Sequence, residues 1–212
     1  MNETLKIHSK FHPDIVLKVI PGHFVTPNSH INYYMDMATI KSRQNEAHGI
    51  AKAMSEHYSV TTVVDTIVCL DGCEVIGAFL ADELTKTGVL STNAHKTIYI
   101  VTPEYNRLGQ IIFRENNEPM IKGKNVLLIL DSITTNKTVG NAAAAINYYG
   151  GTVVGISSIF SAANKIQNLP IHAEFTTNDI PDYQSYAPEH CAMCQAGIPV
   201  DALANGYGYS RV

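Results

Sequence analysis

A chain of 212 residues, 45% of them hydrophobic and carrying a formal net charge of -4, is long enough to bury one sizeable core, so one domain over 1–212 is expected. The mild negative charge supplies no basic field to attract nucleic acid or an anionic membrane, which leaves small molecules as the expected partners. No stretch approaches the roughly 18 to 20 apolar residues of a membrane span, and MNETLKIHSK lacks an apolar signal core. A cytoplasmic protein with reduced thiols is expected, because four cysteines placed as Cys69, Cys73, Cys191 and Cys194 do not resemble the framework of a small secreted domain.

In chain order, a segment through about Asp36, rich in His, Pro, Asn and Tyr, precedes an amphipathic helix over 45–58 that spaces Ala47, Ile50, Ala51 and Met54 on one face. The run TTVVDTIVCL (61–70) predicts a strand, Asp71-Gly72 a turn, and 74–84 a helix. After a strand at 97–101 comes a connection to Lys124 broken by Pro103, Gly109, Asn116, Asn117 and Pro119. Its length exceeds the roughly 12 to 15 residues usual for loops in compact domains, which suggests a lid, with a short β-ribbon over 109–113. KNVLLIL (124–130) predicts a strand covered on both faces, the Ala-rich 140–149 a helix stopped by Gly150-Gly151, and TVVGISSI (152–159) a third strand. The fold class is therefore α/β: a mainly parallel, twisted sheet flanked by helices, with right-handed crossovers, and with 1–36 and about 180–212 as caps over the sheet.

The strongest local signal is 126–138, where a buried strand ends in Asp131 and a run of small polar residues (Ser132, Thr134, Thr135, Asn136) leads through Lys137 and Thr138 into a helix. Backbone N–H groups at a helix start, with hydroxyls beside them, form an anion site at the carboxyl end of a parallel strand. The alternative at this point is that one threonine is only an N-cap and Asp131 an ordinary turn residue.

This stretch resembles the phosphoribosyl diphosphate signature of type I phosphoribosyltransferases: an apolar strand, two acidic residues, two variable ones, Thr-Thr-Gly, one residue, then Thr or Ser. The segment Gly22-His23-Phe24 with His30 and Tyr34 is similar to the N-terminal hood of the orotate branch, and Cys191 to Pro199 resembles its C-terminal Cys-Pro-Leu-Cys-x-x-Gly-x-Pro. The resemblance covers nearly the whole chain. It implies the type I fold with a hood and tail, and transfer of the phosphoribosyl group from phosphoribosyl diphosphate to orotate with Mg²⁺ on the diphosphate. A homodimer is implied, in which a mobile loop reaches the neighbour's site. Asp131 would then hold a ribose hydroxyl. The loop Ser132, Ile133, Thr134, Thr135, Asn136, Lys137 and Thr138 would cradle the 5-phosphate, and Asp71, Gly72 and Cys73 would form the diphosphate turn. Phe24, His30 and Tyr34 would face the base, and Arg107 or Arg114 would close from the lid.

The chain also departs from the pattern. Leu130 stands where the first acidic residue belongs, Asn136 replaces the loop glycine, the lid carries arginines in place of a lysine, and no arginine follows the third strand, which reads IFSAA (159–163). These departures favour a second expectation, a weak or inactive homologue that binds phosphoribosyl diphosphate or a nucleotide, or a transferase for another base. His190-Cys191-x-x-Cys194 offers half of a zinc knuckle but no second pair follows in sequence, so the expectation is no metal on the protein alone and a motif that anchors the tail, unless His172 or another subunit completes a site.

Overall fold

The computed structural model describes residues 3–86, 91–94 and 96–212. The chain opens with β1 (Leu5–His8), β2 (Val16–Val25) and β3 (His30–Asp36), all antiparallel neighbours. In β2 the pairing shifts between Pro21 and Phe24, a β-bulge that leaves the consecutive residues His23 and Phe24 both buried. Two helices follow, α1 (Ala38–Ser42) and α2 (Gln44–Ser55), and α2 buries the apolar face that its spacing predicts.

Strand β4 (Thr66–Cys69) is shorter than its apolar run. The buried Asn93 side chain accepts from Val64 N at 2.9 Å and donates to Thr62 O at 2.8 Å, occupying backbone groups that would otherwise extend the ladder. After α3 (Glu74–Thr85) and β5 (Tyr99–Val101), the long connection is not structureless: β6 (Glu104–Tyr105) pairs with β7 (Ile111–Ile112) as an antiparallel ribbon. Asn106 organises its tip, where Oδ1 accepts from Leu108 N and Gln110 N.

Strand β8 (Asn125–Ile133) runs past Asp131, so the loop before α4 (Asn136–Tyr148) is only Thr134 and Thr135, and the helix begins four residues earlier than its Ala-rich core suggests. Gly150, at φ +81°, ends the helix and leads into β9 (Thr152–Ser161). The edge is completed by β10 (Lys165–Ile166) and β11 (Leu169–Thr176), giving the order β10-β11-β9-β8-β4-β5, parallel except for β10.

Alternation along β8 divides the core. Leu127 and Ile129 face α2 and α3, whereas Val126, Leu128 and Leu130 face α4 through Val139, Ala142 and Ile146. The C-terminal segment, with β12 (Ser185–Tyr186), the short α5 (Ala192–Gln195), β13 (Ala202–Asn205) and β14 (Gly208–Arg211), does not form a separate cap. It joins the N-terminal strands in one sheet ordered β12-β3-β2-β13-β14 with β1 on β2, so hood and tail are one structure. No helix among the described residues is long and apolar enough to cross a membrane.

Candidate active site

Strands β4 and β8 lie side by side with Cys69 opposite Ile129. Asp131 lies two residues further along β8, on the face that carries Ile129, because side chains alternate with a period of two, and Asp71 lies in the turn that follows β4. Leu130 falls on the opposite face and is fully buried against α4, which is why it places nothing in the site.

Above the two carboxylates sits Lys41, from α1. Its ammonium donates to Asp131 Oδ2 at 2.8 Å, to Asp71 O at 2.7 Å and to Gly206 O at 2.7 Å, one acceptor for each of its three hydrogens. The Asp131 side chain is 9% exposed and its other oxygen accepts from Ser132 Oγ at 3.1 Å. Burial pushes the Asp131 carboxyl up, with Lys41 and then Ser132 pulling back. Asp71 is pushed up to about 6 by burial and by the charge of Asp131, against Lys41.

Local backbone geometry sets this arrangement. Asp71 and Gly72 both have positive φ, +53° and +78°, in a turn closed by Cys73 N donating to Leu70 O. Asp71 is thus a left-handed turn residue and not the cap of α3; that position is Cys73, which is buried. The tail turn approaches so closely that a Cβ on Gly206 would stand 2.8 Å from Asp71 Oδ1. Gly206 is the small residue this contact requires.

A cleft of about 780 Å³ opens beside the cluster, within the usual range for small-molecule sites. Ser132, Thr134, Lys137 and Thr138 line it from the end of β8 and the start of α4, and Tyr105, Leu108 and Ile111 from the ribbon. Its hood wall is aromatic: Tyr34 and Tyr209 meet edge-on with centroids 4.8 Å apart. The Tyr34 phenol is pushed up to about 12 by burial and then by Asp36 and Asp131, and that of Tyr105 to about 12 by burial and Asp71, so both remain hydrogen-bond donors at neutral pH.

Of the residues singled out in the sequence, Tyr34, Asp71, Asp131, Ser132, Thr134, Lys137 and Thr138 come together on this cleft. The others do not line it. Ile133 is buried in the core, Asn136 is exposed, and Thr135 caps α4 with Oγ1 facing Lys137 N at 3.5 Å. Gly72 lies near Lys41, whose Nζ would stand 3.8 Å from a Cβ added at Gly72. Phe24 is buried behind Tyr34 and Tyr209, and His30 turns to His23, Cys191 and Cys194. Arg114 reaches Glu104 at 2.6 Å within the ribbon, and Arg107 is outside the lining. His172 stacks on His57, not near the cysteines. Burial pushes the thiols of Cys69 and Cys73 up, which makes them packing residues.

Two contributors were missed by sequence reasoning, Lys41 and the tail turn at Gly206. The signal for Lys41 is faint: a lysine one helical turn after the buried Met37.

No family model matches the chain. It is similar to the orotate phosphoribosyltransferase of Chlorobaculum parvum, 27% identical over 188 residues, or 87% of this chain and 88% of that protein. Among solved structures, the orotate phosphoribosyltransferase of Mycobacterium tuberculosis H37Rv superposes with a TM-score of 0.53 at 17% identity, covering 77% of this chain and 91% of that one. The same protein in complex with 5-phospho-alpha-D-ribosyl 1-diphosphate gives 0.50 at 18% identity over 69% and 82% of the two chains.

Proposed function

This chain is a relative of the orotate phosphoribosyltransferases with the type I phosphoribosyltransferase fold, and on that premise we propose that it is a phosphoribosyltransferase acting on orotate. The observation that carries the reading is the Asp71–Lys41–Asp131 cluster at the carboxyl ends of two parallel strands, beside the start of α4. Sites in open α/β sheets form at strand carboxyl ends, and a helix start beside them favours a phosphate.

In this reading Asp131 holds a ribose hydroxyl, while Thr134, Lys137, Thr138 and the α4 amides take the 5-phosphate. The base displaces diphosphate from C1 through a transition state with positive charge on the sugar, which Asp131 stabilises at short range. Lys41 is the cation this reading assigns to the departing diphosphate, with Lys137 left to the 5-phosphate. Tyr34 and Tyr209 offer the base an aromatic wall. Asp71 and Asp131 are hard oxygen donors of the kind Mg²⁺ takes, and Mg²⁺ brought with the diphosphate would offset its charge beside Asp71. The reading includes a homodimer, which sedimentation velocity checks.

The test is orotidine 5′-phosphate formation from phosphoribosyl diphosphate, orotate and Mg²⁺, run beside an Asp131→Asn variant and a panel of other bases scored by diphosphate release. A second reading, ligand binding without turnover, is favoured by two observations. Leu130 is in the core, and the chain beyond β9 reads Ala162-Ala163, with no arginine at those positions. Binding of phosphoribosyl diphosphate with no product from any base would establish that reading instead.

A further inference from the structure

His23, His30, Cys191 and Cys194 are far apart in sequence but converge in the structure, with one donor atom from each lying within 4.8 Å of all the others. His23 Nε2 is 3.1 Å from His30 Nδ1 and 3.7 Å from each of Cys191 Sγ and Cys194 Sγ, and Cys194 Sγ is 3.4 Å from His30 Nδ1. We propose that these four side chains form a tetrahedral zinc site that clasps the tail to the hood.

Geometry and donor chemistry agree. Around a tetrahedral Zn²⁺ with Zn–N of about 2.0 to 2.1 Å and Zn–S of about 2.3 Å, nitrogens stand roughly 3.3 Å apart and nitrogen and sulfur roughly 3.6 Å apart. The four separations above depart from those values by only a few tenths of an ångström. Two imidazoles and two thiolates are a structural zinc set, softer than the oxygen ligands that Mg²⁺ or Ca²⁺ requires.

The surroundings fix the ligand atoms. His23 Nδ1 donates to Ile198 O at 2.9 Å, and since a carbonyl only accepts, the proton is on Nδ1 and the lone pair of Nε2 points into the cluster. The backbone of His23 is held by the tail as well: its N–H donates to Asp201 Oδ2 at 2.7 Å and its carbonyl accepts from Asp201 N at 2.8 Å. The β-bulge at Gly22–His23 turns this imidazole inward. His23 and Cys191 are buried, whereas Cys194 is exposed, so one side of the site is open for the ion to enter.

The second pair of ligands that the C-terminal motif lacks in sequence is thus supplied by the opposite end of the chain. Such a clasp would set the position of β13 and β14, whose turn at Gly206 covers Lys41 and Asp71.

The test uses full-length protein purified under reducing conditions without chelator, with metal content read by mass spectrometry and Co²⁺ uptake read by absorption. About one zinc per chain is expected, with the intense visible bands of tetrahedral thiolate coordination after exchange with Co²⁺. His30→Ala and Cys194→Ser, at the open side where packing loss is small, should lower zinc content about tenfold or more. His190→Ala, beside Cys191 but outside the cluster, should retain the metal. Chelation should lower the melting temperature of the parent protein and leave that of Cys194→Ser unchanged. Wild-type protein with no zinc and no Co²⁺ bands after full reduction would overturn the proposal, as would variants that keep the parent's zinc content.

Discussion

Asp71 and Asp131 follow Cys69 and Ile129, which face each other across adjacent parallel strands, and Lys41 ties the two aspartates together by donating to the backbone carbonyl of Asp71 and to the side chain of Asp131. Burial, the charge of Asp131 and only one nearby ammonium leave Asp71 a weaker acid than an ordinary aspartate, pushed up to about 6 from 3.8. Between about pH 4 and 6 the folded state therefore holds more protons than the unfolded one, and this group's contribution makes stability fall as pH rises through that window. Asp71→Asn should be more stable than the parent at pH 7, by on the order of 1 to 3 kcal/mol, with most of the gain gone at pH 4. Thermal melts of both proteins at the two pH values check this. A gain that is equal at both would reflect only the better fit of Asn to a left-handed turn.

Removing Lys41 should be costly. Lys41→Met leaves Asp131 buried without its counter-charge and leaves the carbonyls of Asp71 and Gly206 without their donor. Loss of one member of a buried pair typically destabilises by about 3 to 5 kcal/mol. Urea denaturation should show a loss of that order, largely recovered in Lys41→Met/Asp131→Asn, since the pair is then absent on both sides.

The start of α4 separates capping from binding. Thr135→Val should lower stability by about 1 kcal/mol through the lost cap while leaving ribose 5-phosphate affinity nearly unchanged. Thr138→Val, on the cleft wall, should weaken that affinity by about 1 to 3 kcal/mol with little effect on folding. Calorimetric titration and melting of the two variants distinguish them, and the reverse pattern would place the phosphate elsewhere.

Turnover of orotate should be slow compared with the ordinary range of about 1 to 10³ per second. One ribose-side carboxylate on β8, arginines that do not line the cleft and two alanines beyond β9 leave several charge-stabilising groups missing, each commonly worth about 10²- to 10³-fold. A steady-state assay decides, and an ordinary rate abolished by Asp131→Asn would show that Lys41 and Asp71 compensate.

Much of the fold was legible because its signals are local: the continuous apolar run of β8, the helical spacing in α2 and the glycine stop after α4 each depend on neighbours within a few residues. The boundary of β4 was not, since Asn93, remote in sequence, captures the backbone at Thr62 and Val64. Asp131 and Thr138 could be read from one contiguous segment. Lys41, Gly206 and the pairing of His23 and His30 with the two C-terminal cysteines arise only when the ends of the chain meet, and no local pattern encodes that meeting.

The acceptors of Lys41 have a consequence for biosynthesis. They come from the turn after β4, from β8 and from the turn between β13 and β14, and the last of these follows the other two by at least 75 residues. A chain emerging from the ribosome N-terminus first can close the parallel sheet around Asp71 and Asp131 well before Gly206 is available. Until then Lys41 has only two of its three protein acceptors and the cleft lacks one wall, so the parallel sheet is presented without a finished site, and competence is acquired only once the turn at Gly206 arrives.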